Sequence, residues 1–140
     1  MAVCFLFIML FCHIVDDFYL QGKLAQLKQK DWWGENLPLS LEWEDRVKYL
    51  KDYKMALGIH AFSWAFMIQL PVMFCMFWKN QFGFYTVVYV IVFLINFFIH
   101  VYVDNLKANI YKINLIYDQL IHIGQVLITW FVFYIFMKIV

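Results

Sequence analysis

Four long apolar stretches dominate this chain, at 2–20, 55–78, 84–103 and 115–137. Their length leaves few ways to fold it. A helix crosses the hydrocarbon of a bilayer with roughly 20 predominantly apolar residues. Of 140 residues, 65% are hydrophobic and only 15% charged, well under the charged share of an ordinary soluble domain. A soluble domain of this size has too little interior to hide so much apolar surface. The expectation is one all-α, polytopic membrane domain over 1–140, with four transmembrane helices. A cytoplasmic amphipathic segment is expected between the first and second spans.

The first stretch lacks a basic leading region and a small-residue cleavage site, so it reads as a span and not as a signal peptide. Pro71 lies inside the second, where a kink is tolerated in a membrane helix. Lys79, Asn80 and Gln81 make a tight turn, and Asn105–Asn114 a polar hinge. Segment 21–54 is the one substantial polar piece, with seven of the eleven basic and six of the ten acidic residues. Trp32, Trp33 and Trp43 suit the headgroup zone. Ser40 is placed to cap a helix starting near Leu41, and Trp43, Val47, Leu50 and Leu57 recur at helical spacing. The pattern suits a helix lying on the membrane surface and running into the second span; a solvated hairpin is the alternative. Loops 21–54 and 105–114 together hold nine Lys/Arg, whereas the other loop and the termini hold only Lys79 and Lys138. The positive-inside tendency puts both basic loops in the cytoplasm and both termini outside.

The chemistry lies in the polar residues that interrupt these runs. His13–Asp17, His100–Asp104 and Asp118–His122 are each four apart, which places the two side chains one turn apart on one helix face. His60, near the start of the second span, completes the set of four histidines. Each falls near the cytoplasmic end of a different span, and at a rise of roughly 1.5 Å per residue all four lie within about 10 Å of one level. Ionisable residues inside a span cost about 2.5–3.5 kcal/mol each on the most lenient scale, so three paired sets need a compensating role. Imidazole and carboxylate are good donors for zinc, manganese or iron. The expected ligands are His13, Asp17, His60, His100, Asp104, Asp118 and His122. They suffice for one divalent ion with supporting partners, or for two sharing a carboxylate, with zinc favoured. For His60 alone, a plain interhelical hydrogen bond competes with the metal reading. Whichever of Asp17, Asp104 and Asp118 stays uncoordinated is the expected general base. Lys23, Lys107 and Gln119 at the rim are candidates to hold a substrate phosphate. Asp16 is expected to face the headgroups or to cap a pair, with the choice of Asp16 or Asp17 as the inward carboxylate left open, and Asn96, Gln125 and Gln69 to bond between helices.

Other classes find little support. A net charge of +1 gives no electrostatic footprint for nucleic acid. Cys4, Cys12 and Cys75 sit unevenly in apolar runs, without disulfide or zinc-knuckle spacing. Ser40 and Ser63 lie in no nucleophile motif, and the five glycines form no phosphate loop. Four histidines are too few for a histidine-box di-iron hydroxylase.

Three motifs together resemble a family. His13-x3-Asp17-Phe18-x-Leu20-Gln21, His100-x3-Asp104-x2-Lys107 and Asp118-Gln119-x2-His122 are similar to the H-x3-D-F-x-L-Q, H-x3-D-x2-K and D-Q-x2-H signatures of small bacterial and phage multi-pass membrane proteins of unknown function, the domain-of-unknown-function 3307 type. The likeness follows the motif order over essentially the whole chain. Asp16 stands where a small residue is expected. The resemblance implies a bacterial inner membrane. A further likeness to inner-membrane metal-dependent hydrolases implies hydrolysis of a lipid headgroup or lipid-linked phosphate. The alternatives are a divalent-ion or proton transporter, and a metal-stapled structural, phage or host-defence membrane component. Expected partners are membrane lipids, and a second copy or another membrane protein meeting segment 21–54.

Overall fold

The computed structural model describes the backbone of residues 2–137 and the side chains of 3–135; Lys138, counted above among the outer basic residues, lies outside them. The regular structure of the described residues is all helical, without strands. Helix α1 spans Ala2–Ile14 and continues as a π-helical stretch over Val15–Leu20. Short helices α2 (Leu24–Leu27), α3 (Lys30–Asn36) and α4 (Trp43–Tyr49) cross the polar segment. Three long helices follow, α5 (Tyr53–Trp78), α6 (Phe84–Ala108) and α7 (Leu115–Met137). Four stretches are long and apolar enough to cross a membrane: Val3–Leu20, Trp43–Trp78, Phe84–Ala108 and Leu115–Ile135. That fits a multi-pass membrane protein.

The bundle closes in the order α1, α5, α6, α7, with α7 returning to α1. Short connections make α5, α6 and α7 successive neighbours. Between α5 and α6, Asn80 takes a left-handed φ of 50°. The Gln81 amide then bonds back to the Met76 carbonyl at 2.9 Å, closing the orphan carbonyls of α5 in a Schellman-type turn. The third span outlasts the apolar run that announces it: α6 reaches Ala108, not 103, and the connection shrinks to 109–114. Asn105, Leu106 and Lys107 are good enough helix formers, and Asp104 is held inside, so nothing breaks the helix at Asn105. The predicted helix start at Leu41 is also corrected. Helix α4 begins at Trp43 behind an extended Glu42, with no side-chain cap. Ser40 therefore caps nothing there, and a turn over Leu50–Asp52 separates α4 from α5.

The interior is inverted relative to a soluble protein. Among the described residues, as many polar side chains are buried as apolar ones. Phe7, Phe11, Phe62, Phe74, Phe98 and Ile128 meanwhile point outward. Outward aromatic and aliphatic side chains on every long helix are what a lipid solvent selects. At mid-bundle, Met9, Trp64, Ala65, Ile68 and Val126 form the apolar core. Val72, Met76 and Phe133 form a second apolar layer farther along. The polar layer lies at the other end, under the folded-back segment 21–36.

Candidate metal centre

The π-helical stretch is the first device that builds the site. The Gln21 amide reaches the Asp16 carbonyl at 3.0 Å, an i to i+5 bond that widens the turn. π-Bulges of this kind concentrate at functional sites. Here the wider turn brings two consecutive carboxylates inside: Asp16 is 1% and Asp17 8% exposed. Asp16 was expected at the headgroups; it is buried instead. Its Oδ1 accepts a hydrogen bond from Ser63 Oγ at 2.5 Å, and its Oδ2 lies 3.8 Å from His60 Nδ1.

All four histidines, with Asp104 and Asp118, converge on this pair and are 1% exposed or less. On one side, His60 Nε2 stands 3.2 Å from Asp17 Oδ1, 3.4 Å from Asp104 Oδ2 and 3.2 Å from His100 Nε2. His100 Nε2 is in turn 3.8 Å from Asp104 Oδ2. On the other side, His122 Nε2 stands 3.3 Å from both Asp104 Oδ1 and Asp118 Oδ1. Donor atoms held about 2.1 Å from a tetrahedral ion lie roughly 3.4 Å apart. The observed spacings match that edge length. In three overlapping groups, Asp17–His60–His100, His100–Asp104–His122 and Asp17–Asp118–His122, one ligand atom from each residue lies within 4.8 Å of the others. These buried groups can hold a metal ion.

The surrounding atoms agree with that use. His122 turns Nδ1 to Gln125 Oε1 at 3.0 Å, leaving Nε2 for the cluster. Metal-binding histidines commonly hand their second nitrogen to an oxygen in this way. Asp118 Oδ1 has no hydrogen-bond partner, although it is buried against His122. A buried carboxylate oxygen without a donor is costly, and a cation at this point resolves it. His100 packs flat between Trp64, at a ring distance of 4.3 Å, and His122, at 4.0 Å, so its orientation is fixed by stacking.

His13 is placed differently from the other three. It belongs to none of the three groups. Trp64 Nε1 donates to His13 Nδ1 at 2.8 Å, and the ring also bonds the Gln119 side chain. Gln119 Nε2 faces Asp17 Oδ2 at 2.7 Å and Asp118 Oδ2 at 3.1 Å. The Gln119 oxygen is therefore the atom left for His13 Nε2–H. A relay runs Trp64, His13, Gln119, Asp17, and it orients a carboxylate.

Two lysines close the cluster from the polar side. Lys107 Nζ bonds Asp118 Oδ2 at 2.6 Å. Lys28 Nζ bonds Asp104 Oδ2 at 2.5 Å and is almost wholly buried. Gly22, at φ +48°, starts the reversal that carries α2 back against α5 and delivers Lys28. Lys23 is exposed and is not among the residues lining the cavity that Lys28 and Lys107 border. Sequence reasoning missed Lys28, because a single lysine in a polar segment carries no periodic signal. It also missed Ser63 and Trp64 as partners, although they stand three and four residues after His60 and so share its face.

The expected interhelical bonds are present. Gln125 Nε2 donates to the Asn96 carbonyl at 3.1 Å, and Asn96 Nδ2 to Thr129 Oγ1 at 2.7 Å. Gln69 faces the Tyr89 carbonyl and the Phe93 amide of α6. Comparison of the chain with family models, curated proteins and solved structures found no match.

Proposed function

We propose that this chain is a membrane-embedded, divalent-metal-dependent hydrolase of a phosphoester presented at headgroup depth. The reading places it in a bacterial inner membrane, with both basic loops in the cytoplasm and both termini outside. The polar segment then lies on the cytoplasmic surface, and the resemblance to small bacterial and phage membrane proteins is consistent with this setting.

One observation carries it. Asp16, Asp17, Asp104 and Asp118 meet two ammonium groups, those of Lys28 and Lys107. With the four carboxylates ionised and the imidazoles neutral, two negative charges remain over in a low-dielectric interior, where an uncompensated charge costs several kcal/mol. A divalent cation among the imidazoles balances them. The two carboxylates Asp17 and Asp104 each face both halves of the cluster, so a second ion can share them. Zinc suits the tetrahedral spacing and the nitrogen donors; manganese or iron suits the carboxylate share.

Bound there, the ion supplies Lewis acidity and lowers the pKa of a water. The chain's own residues do the rest. His60, His100 and His122 hold fixed ring planes. Gln119 orients Asp17, and one of Asp17, Asp104 and Asp118 accepts the proton of the attacking water. The water oxygen bonds to phosphorus, the ester P–O bond breaks, and a proton ends on the leaving oxygen.

Transport is the second reading, because Gln125, Asn96 and Thr129 continue the polar interior beyond His122. Val72, Met76 and Phe133 close that route with an apolar layer, which favours hydrolysis. The test is elemental analysis of detergent-purified protein alongside phosphate release from lipid vesicles. Both metal and turnover should vanish with a chelator and in His100→Ala. Turnover indifferent to both treatments ends this reading, and metal uptake into proteoliposomes without turnover favours transport.

A further inference from the structure

Lys28 and Lys107 do two things at once. Each neutralises a cluster carboxylate, at 2.5 and 2.6 Å. Each also lines one cavity of about 340 Å³, bordered as well by Gln21, Gln29 and Tyr111. The cavity therefore borders the two lysines whose ammonium groups reach the proposed metal centre. Lys28 reaches it from the folded-back polar segment and Lys107 from the end of α6, so the cavity is assembled from two distant parts of the chain.

An ammonium bonded to a carboxylate competes with a cation for the same oxygen. Asp104 Oδ2 faces both Lys28 and His60. Cation binding at that oxygen weakens the lysine's hold on it. The freed ammonium, on a side chain only 5% exposed, turns toward the cavity that Lys28 lines. Its nearest alternative is an anion in the cavity. Lysine binds phosphate as a point charge with rotatable donors, and the Gln21 and Gln29 amides and the Tyr111 hydroxyl supply the neutral polar lining.

We infer that this cavity is the seat of the substrate's phosphate group, held by Lys28 and Lys107, and that metal and phosphate strengthen each other's binding because the cation frees Lys28 from Asp104. The inference rests on the metal reading above and adds the seat of the phosphate, the role of Lys28 in it and the coupling between the two sites. Coupling of this kind is reciprocal, so the factor by which metal tightens phosphate equals the factor by which phosphate tightens metal.

The experiment is calorimetric titration of inorganic phosphate into the full chain, with and without bound zinc or manganese, and with metal content measured on the same samples. Metal-loaded protein should bind phosphate at least about tenfold more tightly than metal-free protein, as expected for exchange of a charge-assisted hydrogen bond. Lys107→Gln and Lys28→Gln should each weaken phosphate about tenfold or more while metal content is kept. Lys28→Arg should preserve binding, and Lys23→Gln, an exposed neighbour, should change nothing. Because Lys28 is buried and its variant can fail to fold, Lys107→Gln, whose side chain is 26% exposed, decides independently. Nanodiscs with phosphatidic acid in place of phosphatidylcholine separate a lipid phosphate from a soluble one; competition by either phosphate source supports the seat. Metal-loaded protein that does not bind phosphate, or Lys107→Gln binding it like wild type, overturns it. Phosphate bound by wild type without any metal uptake sinks the metal reading instead and leaves the lysine seat standing.

Discussion

Gln125 holds the Nδ1 edge of His122 at 3.0 Å, and its own amide nitrogen is tied to Asn96, at 3.1 Å to the carbonyl and 3.2 Å to Oδ1. Because that nitrogen faces two acceptors, the amide oxygen must be the atom against His122. The imidazole therefore donates from Nδ1, and its Nε2 faces one oxygen each of Asp104 and Asp118 at 3.3 Å. A lone pair aimed at two carboxylate oxygens is repulsive until a cation or a proton lies between them. Gln125→Leu should keep the fold's apolar volume yet lower metal affinity by about 10–100-fold, the usual effect of losing such a supporting partner. Gln125→Glu should retain it. Competition against a chromophoric chelator reads both, and equal affinity in Gln125→Leu and wild type removes Gln125 from the site.

His13 and His100 make the complementary prediction. His13 spends Nδ1 on Trp64, whereas His100 has no partner at Nδ1 and turns Nε2 toward His60 at 3.2 Å. His13→Gln should therefore retain the wild-type metal content, while His100→Ala loses it. The same split should appear in thermal stability. A ligand that binds only the folded state adds about 2.7 kcal/mol at a hundredfold excess over its Kd. Added zinc should raise the melting temperature of wild type and His13→Gln but not of His100→Ala. Metal loss in His13→Gln would make His13 a ligand after all.

How much of this was legible in the sequence depends on periodicity. His100–Asp104 and Asp118–His122 announce themselves because a four-residue step fixes a common face, and apolar surroundings fix their depth. The same rule covers Ser63 and Trp64 once His60 is taken as the origin. Lys28 was not legible, since its position depends on the reversal at Gly22 and on how α2 docks against α5. Asp16 was misplaced for a different reason. A regular helix turns residues 16 and 17 about 100° apart, so only one of them would face inward. The π-helical turn brings in both, and nothing in the local composition demands that geometry. The end of α6 was set too early because the loss of hydrophobicity at Asn105 was taken as the loss of the helix.

Tyr111 gives a prediction outside the spans. Its hydroxyl donates to Asp31 Oδ2 at 2.5 Å, clipping the connection before α7 to α3 at the mouth of the lysine-lined cavity. That hydrogen bond to a carboxylate holds the phenol above its ordinary pKa of 10.0. The protonated form is the one the folded state favours. Its contribution is whole below pH 10.0 and is lost as the pH rises through the folded value. A difference absorbance titration, wild type minus Tyr111→Phe, should show this phenol ionising later than a free tyrosine. Asp31→Asn should move it back toward 10.0. A Tyr111 that ionises with the exposed tyrosines in wild type means the clip is not formed in solution.

Ser63 and Asp16 set a final test, one that separates charge from packing. Ser63 Oγ donates to Asp16 Oδ1 at 2.5 Å, and Asp16 Oδ2 has no hydrogen-bond partner beyond the distant His60 nitrogen at 3.8 Å. Ser63→Ala leaves a buried carboxylate short of its one close donor, which costs about 1–3 kcal/mol. Asp16→Asn removes the charge that makes this loss expensive. The cost of Ser63→Ala should therefore be smaller in the Asp16→Asn background, with a coupling within the roughly 0.5–3 kcal/mol range of contacting residues. Thermal unfolding of the four proteins in detergent measures it. Additive effects would mean that Ser63 merely fills space beside α1. A positive coupling that also lowers metal affinity would place Asp16 behind His60 as the carboxylate that orients its ring toward the ion.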